Sequence, residues 1–195
     1  MSTFFQQTAQ AMIAKHINHF PLLKLDQVID LPGELRDQSR ADRARLRRCQ
    51  NAEELLSNSA TLLFARRLIA LGGSSKAFSD ESQVYEQLAW VAGALAHVKE
   101  DLGDDKTLAS HLGKASGGER PAMSELRFKA LQATSTTEDY FLQIRRAIQL
   151  AGKKADVARL ADDLFVWQLE QGNSASRASS GVKFHWAYDY YLSVG

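Results

Sequence analysis

Four arginines near the start of the chain have a spacing that indicates a chemical role. They lie at i, i+4, i+7 and i+11: Arg36, Arg40, Arg43 and Arg47. On a helix this spacing forms one narrow stripe, where each neighbouring like-charged pair costs a few tenths of a kcal/mol. An anion would offset that repulsion, and guanidinium binds phosphate oxygens bidentately. The stripe therefore predicts phosphate binding. The competing interpretation is a solvated face, partly neutralised by Asp37 and Asp42.

Charge is separated along the chain although the net charge is only +1. Residues 36–67 contain eight arginines and four acids, whereas residues 80–105 contain seven acids and one base. A second basic group follows: Arg120, Arg127, Lys129, Arg145, Arg146, Lys153 and Lys154. Lys153 and Lys154 have a simpler explanation, because cations near a helix C-terminus interact favourably with the helix dipole.

Two other motifs resemble binding sites but predict none. Residues 72–76 (GGSSK) lack the GxxxxGK[ST] spacing of a phosphate loop, and no strand precedes them, so a helix end is favoured. His16 and His19 share one helix face, yet the sequence offers no third or fourth metal ligand. The sequence therefore predicts no metal and no cofactor.

The candidate acid–base groups are equally weak. His185 and Asp189 have no nucleophile motif beside them, and the aromatic residues around them predict core or a docking surface. Asp162 and Asp163 are sequence neighbours, which point apart on a helix. Cys49 is the only cysteine and is predicted to be buried, so no intrachain disulfide is expected. The chain is accordingly predicted not to be an enzyme.

The elements that carry these residues are predicted to be helices. The spacing of apolar residues is helical in almost every long segment, and the three prolines fall between candidate helices. We predict an all-α compact helical bundle, with lobes 1–116 and 117–195 sharing one core. Helices are expected at 4–17, 34–48, 52–71, 80–99 and 108–115, from about Ser124, Thr136 and Asp156, and at 182–192.

Targeting signals are not evident in the sequence. The first fifteen residues do not have the pattern of a signal peptide, and no run of about 18 apolar residues would span a membrane. With a single cysteine, these features predict a soluble, cytoplasmic protein without a membrane partner.

Five blocks in a fixed order resemble the CasB family, the small subunit of the type I-E CRISPR Cascade complex. They are ADRARLRRCQNAEEL (41–55), GERPAMSELRFKAL (118–131), FLQIRRAIQLAG (141–152), DVARLADDLFVWQ (156–168) and FHWAYDYY (184–191). The resemblance implies a non-catalytic all-α subunit of an antiviral ribonucleoprotein, present there in two copies side by side. Its implied partners are the guide RNA, target and non-target DNA, and the other Cascade subunits. The implied role is to support the R-loop, along the guide–target hybrid and the displaced strand.

The resemblance also implies nucleic-acid contacts at particular residues. Arg47 and Arg48 match the family's LRR element, Arg127 its SELRF element, and Arg145 and Arg146 its RR pair. Charge patterning adds three more candidates: Arg40, Arg43 and Lys153. We expect these side chains to converge into one phosphate-facing track.

Two other functions remain open from the sequence. A helical adaptor would use the basic stripe to dock an acidic partner, such as region 80–105 of another copy. An unrecognised helical enzyme would need a convergent site, which the sequence does not offer.

Overall fold

The computed structural model describes residues 35–72, 81–115, 120–172, 179 and 181–194, without the side chains of 35–40, 67, 70–72, 81 and 172. Nine α-helices and two very short strands occupy this part, which confirms the all-α class. The helices are α1 Leu35–Leu46, α2 Ala52–Leu56, α3 Ser59–Gly72, α4 Glu81–Leu95, α5 Leu108–Gly113, α6 Glu125–Gln132, α7 Thr137–Leu150, α8 Val157–Gly172 and α9 Val182–Ser193. The strands are β1 Glu100–Asp101 and β2 Lys154–Ala155.

The chain divides into two compact units, residues 1–96 and residues 97–195. The lobe boundary predicted between residues 116 and 117 falls within residues 116–119, which are outside the described part. This boundary stays a prediction. The predicted helix 4–17 also lies outside the described residues.

In the first unit, side chains of asparagine set where helices begin. Asn51 Oδ1 accepts a hydrogen bond from the Glu54 amide (2.9 Å), and the Glu54 carboxylate accepts one from the Gln50 amide (2.8 Å). This reciprocal cap starts α2. The prediction of one helix over 52–71 was wrong, because α2 ends at Leu56 and Asn58 Oδ1 accepts from the Ala60 amide (3.0 Å), which starts α3. Helix α4 packs against both α2 and α3.

In the second unit, the acidic stretch after residue 99 forms structure. β1 pairs in parallel with β2, and Lys154 forms an ion pair with Glu100 (2.7 Å). Asp156 is buried and caps α8: its Oδ1 accepts from the Arg159 amide (2.9 Å) and its Oδ2 from the Asp105 amide (2.7 Å). The predicted helix start near Asp156 is confirmed. These acids therefore stabilise the junction between β1 and α8.

Helix α9 approaches α5 very closely at Gly113. A Cβ atom at Gly113 would lie 2.5 Å from the Tyr190 carbonyl oxygen and 2.9 Å from Ser193 Cβ. Polar contacts join the same two elements, since Thr107 Oγ1 donates to Asp189 Oδ2 (2.7 Å). Only glycine permits this approach, so Gly113 fixes the position of α9 in the second unit.

The inner face of α9 is held by two buried aromatic side chains. Tyr190 stacks on Phe128 of α6 with ring centroids 4.0 Å apart, and its hydroxyl donates to the Met123 carbonyl (2.7 Å). Trp186 Nε1 donates to Asp163 Oδ2 of α8 (2.7 Å). Helix α9 is thus joined to α5, α6 and α8.

Burial dominates the chemistry of Asp163. The pKa of its carboxyl is raised from 3.8 to about 7: desolvation is the largest cause and Asp162 adds to it, while Arg159 and the Trp186 hydrogen bond oppose the shift. Arg159 Nε donates to Asp163 Oδ1 (3.2 Å). The folded chain therefore binds this proton more tightly than the unfolded chain does.

We predict that Gly113→Ala destabilises the protein by about 2 kcal/mol, because the new methyl group overpacks the contact between α5 and α9. Urea unfolding, followed by circular dichroism, measures the change. The neighbouring exposed residue gives the control, since Lys114→Ala removes no packed atom. Equal stability of the two variants would contradict the close-packing interpretation.

The Asp163 carboxyl also predicts a pH dependence of stability. Because its folded pKa of about 7 is above its ordinary value of 3.8, its contribution is largest below pH 3.8 and is lost as the pH rises to about 7. The slope is at most about 1.4 kcal/mol per pH unit. Asp163→Asn removes this titration and keeps an oxygen acceptor for Trp186. We expect the difference between the unfolding free energies of the wild type and the variant to change across this pH range, because the wild type loses stability relative to the variant as the pH rises. Parallel curves would contradict the raised pKa.

Candidate nucleic-acid interface

The C-terminal end of α1 and the turn after it carry the first group of predicted arginines. Arg43 and Arg47 are half-buried, and Arg47 Nε donates to the Arg43 carbonyl (3.2 Å). Burial lowers the pKa of the Arg43 guanidinium, and the positive charge of Arg47 lowers it further. The repulsion expected within the stripe is therefore present between these two residues. Arg40 lies in α1, but its side chain is outside the described part.

Of the two aspartates expected to neutralise the stripe, Asp42 pairs elsewhere, and the side chain of Asp37 lies outside the described part. Asp42 is buried and contacts Arg45 (3.5 Å), which is not a stripe residue. Arg48 is exposed, and its side chain makes no hydrogen bond or ion pair with another described residue. Arg48 is accordingly available to an external anion, whereas Arg45 already has a carboxylate.

Helix α6 carries two cations, of which one is paired with an acid and the other is not. Lys129 forms an ion pair with Glu125 (2.8 Å), and the Tyr191 hydroxyl donates to the same carboxylate (3.2 Å). The hydrogen bond from Lys129 is the main cause that lowers the pKa of Glu125 and raises that of Lys129. Arg127 is exposed on the same helix and has no side-chain partner among the described residues.

The two adjacent arginines of α7 differ in their surroundings. The Arg145 guanidinium lies over the Phe141 ring, 5.5 Å from the centroid, and is half-buried. Arg146 is exposed, and its side chain makes no hydrogen bond or ion pair with another described residue. Sequence neighbours project about 100° apart on a helix, so the two cannot occupy the same environment. Helix α7 packs against α6, which carries Arg127.

Lys153 has a structural role through its backbone. Gly152 and Lys153 both have positive φ (68° and 63°), and the Lys153 amide donates to the Ile148 carbonyl (2.8 Å). This is a Schellman ending for α7. The Lys153 carbonyl also accepts from the Lys99 amide (2.7 Å). The backbone of Lys153 therefore joins α7 to the β1 region, whatever its ammonium group binds.

The remaining candidate groups have structural surroundings. Asp189 accepts from Thr107, and His185 lies edge-on to the Phe184 ring, so these two groups do not form an acid–base pair with each other. Cys49 is buried, as predicted. In the described part of the chain, no three histidine, cysteine or acidic side chains are grouped to hold a metal ion. His16 and His19 lie outside that part.

A family model tests the resemblance that the sequence blocks indicated. The model for CRISPR-associated protein Cse2 matches residues 42–191. The chain belongs to this family. Cse2, or CasB, is the small subunit of type I-E Cascade, so the predicted resemblance is confirmed. The match includes region 72–116, which the sequence blocks did not anchor, and all the predicted site residues except Arg40.

Two further comparisons gave different results. No curated protein and no solved structure matches the chain. Among the described helices, none is both long and apolar enough to cross a membrane. The family match alone assigns the chain as a subunit of a CRISPR Cascade complex.

The contrast between Arg145 and Arg146 gives a stability prediction. Arg145→Ala should lower the free energy of unfolding by about 0.5–1 kcal/mol, because it removes the cation–π contact with Phe141. Arg146→Ala should change it by less than about 0.5 kcal/mol, since the side chain is exposed. Urea unfolding of both variants measures the difference. Equal losses would show that the two arginines have the same structural role.

Proposed function

We propose that this Cascade subunit is non-catalytic and holds the phosphate backbones of an R-loop through exposed arginines. The observation that carries the proposal is selective neutralisation. Arg48, Arg127 and Arg146 have no hydrogen-bond or ion-pair partner among the described residues, and the same holds for Arg66 and Arg120 outside the predicted set. Other cations are paired with acids: Arg45 with Asp42, Lys129 with Glu125, and Lys154 with Glu100. Unneutralised guanidinium groups are suited to bidentate phosphate contacts.

The energetics of an R-loop favour such a role. Exchanging a DNA duplex for a guide–target hybrid is nearly balanced, so contacts from protein to the backbone tip it. Cations along the displaced strand would oppose re-annealing, and phosphate contacts carry no sequence information. A subunit that reads only phosphate suits a complex whose guide RNA supplies the sequence.

Each unit carries residues of the proposed set. Arg43, Arg47 and Arg48 belong to the first unit, and Arg127, Arg145 and Arg146 to the second. We assign them to the guide–target hybrid and the displaced DNA strand, and a second copy beside the first would extend the same contacts. Arg40 and Lys153 complete the proposed set. Arg145 is expected to contribute less than Arg146, because its guanidinium already lies on Phe141.

The salt dependence of binding tests this proposal. The purified chain should bind single-stranded DNA at low salt, with affinity falling steeply between about 50 and 200 mM salt. Arg48→Ala and Arg127→Ala should each reduce the log–log slope by about 0.7, because each removes one phosphate contact. Fluorescence anisotropy with a short labelled oligonucleotide measures the slopes.

Two neutralised cations provide matched controls. Arg45→Ala and Lys129→Ala remove cations that are already paired with Asp42 and Glu125, so their slopes should stay close to that of the wild type. Equal slopes for the paired and unpaired sets would contradict selective neutralisation. A wild-type chain that ignores DNA but binds an acidic subunit through these arginines would favour the adaptor interpretation instead.

A further inference from the structure

Helix α9 has an apolar outer face as well as a buried inner face. Five of the nine large exposed hydrophobic side chains in the described part lie on α9 or directly after it: Phe184, Tyr188, Tyr191, Leu192 and Val194. The first four are spaced i, i+4, i+7 and i+8, which places them on one side of the helix. We call these five residues the α9 apolar face.

The inner side chains of α9 do not cover this face. Trp186 and Tyr190 point into the unit and are 1% exposed, whereas Tyr188 is 57% exposed. The Phe184 and Tyr188 rings lie nearly parallel, with centroids 6.3 Å apart and a 27° interplanar angle. Each of the two rings therefore shields part of the other, and both retain large exposed surfaces. Contiguous exposed apolar patches of this kind mark interaction sites.

Charge around the face favours a protein partner over nucleic acid. The five residues of the face carry no charge. At its Tyr191 edge, the neighbouring cation Lys129 is neutralised by Glu125, and this carboxylate also contacts the Tyr191 hydroxyl. At the other end, Lys183 Nζ donates to the Thr134 carbonyl (2.8 Å). Single-stranded nucleic acid sites combine aromatic rings with a basic groove, and this edge has a carboxylate instead.

The size of the face indicates what kind of protein contact it makes. A stable interface between two proteins uses about 20–30 residues on each side. The five large apolar residues of the face could supply only the centre of such an interface, and they do not by themselves indicate a solution dimer. The face suits one contact among several in a larger assembly, and membership of the Cse2 family places the chain in such a complex.

We propose that the α9 apolar face docks an uncharged apolar surface on a different protein subunit of Cascade. This inference rests on the chain being a Cascade subunit, and it does not depend on the arginines binding phosphate. Because no charged pair is needed at the face, its contribution to assembly is nearly independent of salt. Nucleic-acid binding by the arginines decreases steeply with salt, so the two surfaces are separable by experiment.

The test is reconstitution from purified components. The wild-type chain and the double variant Phe184→Ser/Tyr188→Ser are titrated into a complex of guide RNA and the other Cascade subunits. The double variant should need about tenfold more protein for half-incorporation, and the ratio should persist at high salt. Leu142→Ser gives the matched control, since Leu142 is 43% exposed on α7 of the same unit. Leu192→Ser is a second, independent variant of the face, and urea unfolding checks that each variant is folded.

Each outcome decides the proposal. Weaker incorporation of the double variant and of Leu192→Ser, with the control unchanged and the single-stranded DNA slope intact, supports it. Normal incorporation of folded variants overturns it. If the variants lose DNA binding while incorporation stays normal, the rings stack on bases and the proposal is also overturned. A wild-type dimer in solution that the double variant abolishes would assign the face to a second copy, against the proposal.

Discussion

The contact between Gly113 and the Tyr190 backbone is the constraint on which the second unit depends. Because no Cβ lies between them, α9 approaches α5 closely, and this fixes which of its sides faces inward. Tyr190 then stacks on Phe128 and thereby positions α6, the helix that carries Arg127. The same orientation presents Phe184 and Tyr188 outward. A core contact without charge thus determines where both the cationic and the apolar surfaces of this unit appear.

The two surfaces rest on different physics. Exposed guanidinium groups attract phosphate over a distance, with a strength that salt screens. The α9 apolar face acts only on contact, through the removal of apolar area from water. We propose that the exposed arginines hold the nucleic acid and that the α9 apolar face holds a neighbouring subunit. Because the arginines and the apolar residues belong to different helices, each surface can be altered alone.

Much of the fold followed from the sequence, since apolar spacing, Ser124, Thr136 and Asp156 predicted where α6, α7 and α8 begin. The break between α2 and α3 was missed because the Asn58 cap competes locally with a continuous helical pattern. β1 and β2 were missed because two residues are too few to show periodicity. The sequence partly indicates which cations are paired. Glu125 and Lys129 are spaced i, i+4 and can form an ion pair, whereas Arg127, two residues after Glu125, cannot reach it. The cation–π contact of Arg145 and the exposure of Tyr191 depend on tertiary packing, so the sequence did not distinguish Arg145 from Arg146 or Tyr191 from Tyr190.

The most direct measurement of the central claim is the lifetime of the R-loop on supercoiled DNA. Cascade is assembled with the triple variant Arg48→Ala/Arg127→Ala/Arg146→Ala, and incorporation of the variant is verified first. We expect a folded, incorporated variant whose R-loop dissociates faster than that of the wild type, with the difference shrinking as salt rises and screens the wild-type contacts. An R-loop lifetime equal to that of the wild type at low salt would contradict the claim that these unpaired arginines hold the nucleic acid.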